Sequence, residues 1–177
     1  MTAIERRIKK ELERIKNQNC SGDESEIVMW AIPGKLACSQ RQLRYHQKFC
    51  GRNPLPPEAR PLIVSWVKRI KQMGILSIIC LLEYNQLDRH YVRGGLGLHE
   101  NGLLGYYKSQ GLEVHHFPMT DYQRPQEEDM QKVLKTFGEL PKPVLLHCSA
   151  GFDRTAPVAA FIVQQTSSDL RPASGNF

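Results

Sequence analysis

The run Val144-Leu145-Leu146-His147-Cys148-Ser149-Ala150-Gly151-Phe152-Asp153-Arg154-Thr155 constrains the fold more than any other part of this chain. Lys142 to His147 reads as a buried strand that delivers Cys148 into a six-residue turn, and Thr155 to Gln165 reads as a compact helix. That helix carries Val158, Ala159, Ala160, Phe161, Ile162 and Val163, apolar on nearly every side, so it has to be covered all round. A strand handing over to such a helix belongs to a layered α/β structure.

The remaining pattern agrees. Ile27 to Ile32 and Lys35 to Cys38 read as short strands joined by a Pro33-Gly34 turn. After Pro54, Pro56 and Pro57, a helical spacing places Ile63, Trp66, Val67, Ile70 and Met73 on one side, and Gly74 can stop it. Ile75 to Leu82 is β-rich and of buried-strand length, Leu112 to Pro118 returns to strand, and residues 126–138 form a helix with Met130, Val133, Leu134 and Phe137 on one face. Glu127, Glu128 and Asp129 suit that helix's N-terminus. Six of the 13 glycines fall between Gly94 and Gly111, which reads as a long loop without the spacing of a dinucleotide site. The expected fold is a central mixed sheet flanked by helices, with a shortened C-terminal helical region. The expected divisions are an amphipathic basic helix over 1–20, a main domain over 21–165 and a polar tail over 166–177.

With 177 residues, 41% of them hydrophobic and 24% charged, the chain has the size and balance of one folded domain. Its longest apolar run, Ile75 to Leu82, is far short of the ~20 residues that cross a bilayer, and the N-terminus has no apolar signal region. Five cysteines without regular spacing do not make a disulfide framework, so a reducing, cytoplasmic setting is expected. Half of the net charge of +6 sits in residues 1–17, where six Lys/Arg face three Glu between Ile4, Ile8, Leu12 and Ile15. Such a stripe suits a solvated helix docked on the body, and a mildly basic enzyme for anionic substrates has the same composition. No stable nucleic-acid complex is expected.

The turn after His147 has the parts of an oxyanion cradle. The backbone N–H groups of Ser149, Ala150, Gly151, Phe152 and Asp153, with the N-terminus of the next helix, can surround a tetrahedral dianion. Gly151 permits a backbone angle that a side chain resists. The same positive cradle stabilises a thiolate at Cys148 and makes it a nucleophile. The guanidinium of Arg154 can grip two phosphoryl oxygens at once.

This spacing resembles the H-C-x-x-x-x-x-R-[S/T] loop of the cysteine-dependent protein tyrosine phosphatase superfamily. The opening Trp30-Ala31-Ile32-Pro33-Gly34-Lys35-Leu36-Ala37, the segment Gly74 to Glu83, and His116-Phe117-Pro118-Met119-Thr120-Asp121 are similar to its small dual-specificity and atypical branch. The resemblance covers about residues 27 to 165. It implies a phosphatase acting on phosphotyrosine, and within that branch also on phosphoserine and phosphothreonine. It implies that Cys148 attacks phosphorus to form a phosphocysteine, Arg154 binds the phosphoryl group, and Asp121 acts as general acid and then base. Thr155 would hydrogen-bond the Cys148 sulfur and His147 would orient the cysteine. Neither metal nor organic cofactor is implied, and His115 and His116, adjacent on a strand, point to opposite faces. The partner is a phosphorylated protein or peptide, with homodimerisation left open.

Three positions depart from the family pattern. Ala156 and Pro157 follow Thr155 where a glycine is usual, Asp153 places a second carboxylate beside Arg154, and only 23 residues follow Arg154. Other readings are a phosphoinositide phosphatase, an RNA 5′-triphosphatase and a phosphate-binding pseudophosphatase. The loop contains no lysine of the kind lipid-directed relatives carry, and both Cys148 and Arg154 are present. Cys80, near the end of its strand, is a candidate partner for a protective disulfide with Cys148.

Overall fold

The computed structural model describes residues 1–51 and 53–168. Five four-residue strands, β1 (Met29–Ile32), β2 (Leu36–Ser39), β3 (Ser77–Cys80), β4 (Glu113–His116) and β5 (Val144–His147), form one sheet in the order β1-β2-β5-β3-β4. β1 and β2 make an antiparallel hairpin, and every other pairing is parallel, so the sheet is mixed. β5 lies at its centre, between β2 and β3.

Alternation decides what each residue of the central strands touches, because successive side chains leave a strand on opposite faces. Ala37, Ile78, Cys80 and Leu145 face one layer, made by α2 (Arg60–Gln72), α3 (Tyr84–Tyr91) and α4 (Gly102–Ser109). Cys38, Ile79, Val144 and Leu146 face the other, made by α1 (Ala3–Cys20), α5 (Glu127–Glu139) and α6 (Thr155–Ser168). β2, β3 and β5 are fully buried, and their apolar composition, except for Ser39, Ser77 and His147 at their ends, follows from this two-sided burial.

The helix that is apolar all round, α6, is covered by α1 on one side and α5 on another. Ile8, Leu12 and Ile15 of α1 are fully buried against the layer that holds Ala156, Val158, Ala159 and Ile162. Thr2 caps α1 by accepting the Glu5 N–H. Glu5, buried itself, takes an ion pair from Arg124 at 2.9 Å and one from Lys9 at 3.1 Å. Burial raises the Glu5 pKa, but the hydrogen bonds from Arg124 and Lys9 outweigh it and leave the carboxyl below its usual range.

Three expectations change. The Gly-rich stretch is not one long loop, since α4 folds within it. α6 runs to Ser168 rather than Gln165, so the start of the expected polar tail is helical, and residues 169–177 lie outside the described residues. Met73 is exposed rather than part of the buried face of α2, because it is the cap residue beyond the last turn. No helix among the described residues is long and apolar enough to cross a membrane.

Candidate active site

β5 delivers His147 to the sheet's C-terminal edge, and the chain turns from Cys148 through Arg154 into α6. Gly151 has φ +88°, and its N–H donates to the Cys148 Sγ at 3.2 Å. A side chain there would be strained and would approach the Leu12 Cδ1 at 3.1 Å, so α1 packs directly on the loop. The Gln40 amide secures that contact by donating to the Leu12 carbonyl at 2.6 Å. Cys148 lies at the floor of the loop, 1% exposed, which is deeper than an openly accessible thiol.

Arg154 is equally buried. Its Nη1 donates to the carbonyls of Leu81 and Met119 and to the Gln86 Oε1 at 2.8 Å, and its Nη2 donates to the Asp121 Oδ1 at 2.6 Å. Its Nε is buried without a partner. Gln86 holds both sides of this pair, since its Nε2 donates to the Asp121 Oδ2 at 2.7 Å. The Asp121 N–H donates in turn to Glu83, whose side chain shares a capping box with Gln86 at the start of α3. Asp121 thus reaches the loop from the segment after β4, whereas Asp153 points out to solvent.

His147 sits in a buried chain of hydrogen bonds. Its Nδ1 lies 3.3 Å from the Cys148 carbonyl and must donate, so its Nε2 accepts from the Tyr107 hydroxyl at 3.3 Å. Gln42 donates to Tyr107, and Tyr91 donates to the Gln42 Oε1 at 2.7 Å. Burial, chiefly, lowers the His147 pKa to about 4, so the ring is neutral near pH 7. Thr155 is fully buried at the start of α6, but its hydroxyl has no hydrogen bond and does not reach the sulfur; the Gly151 N–H makes that contact instead. Cys80, aligned with His147 across the β3–β5 ladder, is fully buried, and burial pushes its thiol up to about 12.

The structure brings Cys148, Arg154, Asp121, Thr155 and His147, all named from the sequence, together at one edge of the sheet. The sequence reading was silent on four further residues, Gln42, Gln86, Tyr91 and Tyr107. Gln86 had a readable signal, an E-x-x-Q capping box after an apolar strand. The tyrosines had none. At the rim, the Lys16 ammonium lies over the rings of Tyr45 (5.4 Å to the centroid) and of Phe152 (5.8 Å). His116 bonds the Leu82 carbonyl and His115 pairs with Glu113, so the two imidazoles do not converge. Among the described residues no group of three or more His, Cys, Asp or Glu side chains could hold a metal.

A central strand ending in a cysteine loop, an arginine at the head of the next helix and an aspartate brought in beside it are the arrangement of the cysteine-dependent, dual-specificity phosphatase fold. The chain belongs to the DSP-PTPase phosphatase family of polymorphic toxin systems, whose model matches residues 67–167. It is 23% identical over 152 residues to rat (Rattus norvegicus) cyclin-dependent kinase inhibitor 3, covering 82% of this chain and 64% of that protein's length. Among solved structures, kinase associated phosphatase with its catalytic-site cysteine replaced by serine matches at a TM-score of 0.53 and 19% identity, over 77% of this chain and 68% of that one. The active form of Tk-PTP matches at 0.47 and 17% identity, over 80% and 84% of the two chains.

Proposed function

We propose that the chain hydrolyses phosphotyrosine in proteins, and phosphoserine or phosphothreonine at lower rates, through a phosphocysteine. The observation that carries this reading is the Cys148 sulfur held by the Gly151 N–H at 3.2 Å in the same loop whose arginine meets Asp121 at 2.6 Å. Phosphoryl oxygens take the loop N–H groups together with the Nε and Nη2 of Arg154, which releases Asp121 from the ion pair, and the freed carboxylate takes up a proton from solvent. The Cys148 thiolate attacks phosphorus, the ester P–O bond breaks, and the leaving oxygen takes a proton from Asp121. Asp121, now a carboxylate, accepts a proton from water as that water attacks phosphorus. The S–P bond breaks and orthophosphate leaves. His147 holds the Cys148 carbonyl, and Thr155 supports the departing thiolate once its hydroxyl turns to the sulfur.

The rings of Tyr45 and Phe152 at the rim, with Lys16 between them, favour a flat aromatic leaving group over an alkyl phosphate. The proposed partners are phosphorylated cytoplasmic proteins, and the proposed chemistry uses no metal. Purified protein and Cys148→Ser, each tested on phosphotyrosine and phosphothreonine peptides, a phosphoinositide and triphosphorylated RNA, check the reading. Cys148→Ser should lose turnover and still bind phosphopeptide. Full-rate hydrolysis by that variant, or a preference for RNA or lipid, overturns it.

A further inference from the structure

Between the end of α1, the segment after β2 and one face of α2 lies a cavity of about 60 Å³. It is separate from the Cys148 loop, none of whose residues lines it. Its wall includes Arg41, Arg44 and Arg69, with Asn19, Tyr45 and Trp66. Arg41 is 3% exposed, and among the described residues no carboxylate pairs with it. Its Nη1 donates to the Gln42 carbonyl at 3.2 Å, and its Nε is buried without a partner. The Arg44 Nε is buried without a partner as well. The Arg69 Nη2 donates to the Ser25 carbonyl at 2.9 Å, which leaves its charge unneutralised.

Arginine stays protonated in proteins, and a buried cation without an anion costs several kcal/mol. Burial first, and the neighbouring Arg44 among further causes, hold the Arg41 pKa below its usual value. Three other titratable groups face the cavity, Tyr45 among them. Glu24 and His46 lie 3.5 Å from each other, so the carboxylate is turned to the imidazole. Waters in the cavity would leave the arginine charges uncompensated. A tetrahedral oxyanion compensates them, and the planar forks of two arginines suit its oxygens.

We propose that this cavity is a second oxyanion site, which takes a phosphate group independently of the cradle at Cys148. It communicates with that cradle through one bond, because the Arg41 N–H donates to the Ser149 carbonyl at 2.9 Å. The occupant is either free orthophosphate, which the reaction would release, or a second phosphoryl group on the substrate.

Isothermal titration of the whole chain with inorganic phosphate tests this. Wild type should take two phosphates per chain, and Arg154→Met should keep one. Arg44→Gln, at a half-buried position that tolerates the change, should weaken one site at least about tenfold, as expected for a lost charge-assisted hydrogen bond. Arg41→Met should remove the phosphate-dependent rise in Tm that persists in Arg154→Met. A single phosphate per chain that vanishes in Arg154→Met, or a titration that Arg44→Gln leaves unchanged, overturns the proposal. The source follows from KM values of Arg44→Gln for singly and doubly phosphorylated peptides. A rise confined to the doubly phosphorylated one assigns a substrate group, and equal values assign free phosphate. Turnover has no part in the titration and melting readouts, so the catalytic reading stands or falls separately.

Discussion

Asp121 and Asp153 are both carboxylates near Arg154, and their surroundings separate their roles. Asp121 is fixed by Arg154, Gln86 and the Glu83 side chain, while Asp153 faces water. Asp121→Asn should lower kcat about 10²-fold or more for poor leaving groups and less for p-nitrophenyl phosphate, where little protonation is needed. Because the Asp121 carboxylate occupies the arginine that phosphate must use, the same variant should bind tungstate or phosphate more tightly than wild type. Asp153→Asn should change both quantities less. Kinetics with the two substrates decide this, and the reverse order would give the acid's role to Asp153. The buried Cys80 is a second residue with a determinate outcome. Held as a thiol by burial, it is a poor attacking group. Mild peroxide should give sulfenic acid at Cys148 with no Cys80–Cys148 crosslink by mass spectrometry, contrary to a protective disulfide.

At the scale of elements, α1 has the most to explain. It covers α6 with Ile8, Leu12 and Ile15, lies on the cysteine loop at Gly151, and pairs with Arg124 in the segment that carries Asp121. Leu12→Ala should therefore cost about 2–5 kcal/mol of stability, seen as a lower Tm, and should loosen the loop beneath it. Deleting residues 1–18 should lower Tm markedly and reduce activity with it; unchanged melting and unchanged rates would show that α1 is dispensable to both. The docking of this helix was legible from its four-residue apolar stripe and from a partner helix with no polar side. The strands were legible too, because β2, β3 and β5 are each apolar but for one end residue. α3 and α4 were not. Their sequences, Tyr84 to Tyr91 and Gly102 to Ser109, are polar or glycine-bearing, and their tertiary contacts outweigh that weak local preference. The hydrogen-bond chain through Tyr91, Gln42 and Tyr107 was illegible for the same reason, since only the packing of those two helices brings it to His147.

The stability of the whole molecule should depend on pH through its buried histidines. Burial lowers His147 to about 4 and His90 to about 3, against 6.5 for the free side chain. The unfolded chain binds these protons as pH falls below about 6.5, while the folded chain refuses them until about 4 or below. Stability is full above 6.5 and declines across that window, His147 alone accounting for about 3 kcal/mol by its lower end. Denaturant titrations at pH 7, 6, 5 and 4.5 should show a steadily falling midpoint, and a flat profile would place both rings in contact with water.

The contact of α1 with α6 also bears on when the site comes into being. The helix that roofs the cysteine loop precedes in the chain the helix that the loop opens, and the whole of β1 to β5 lies between them. All of residues 21–154 must be translated before the two can meet. Such a distant pairing slows folding, and it leaves the cysteine loop without its roof until both helices have been made.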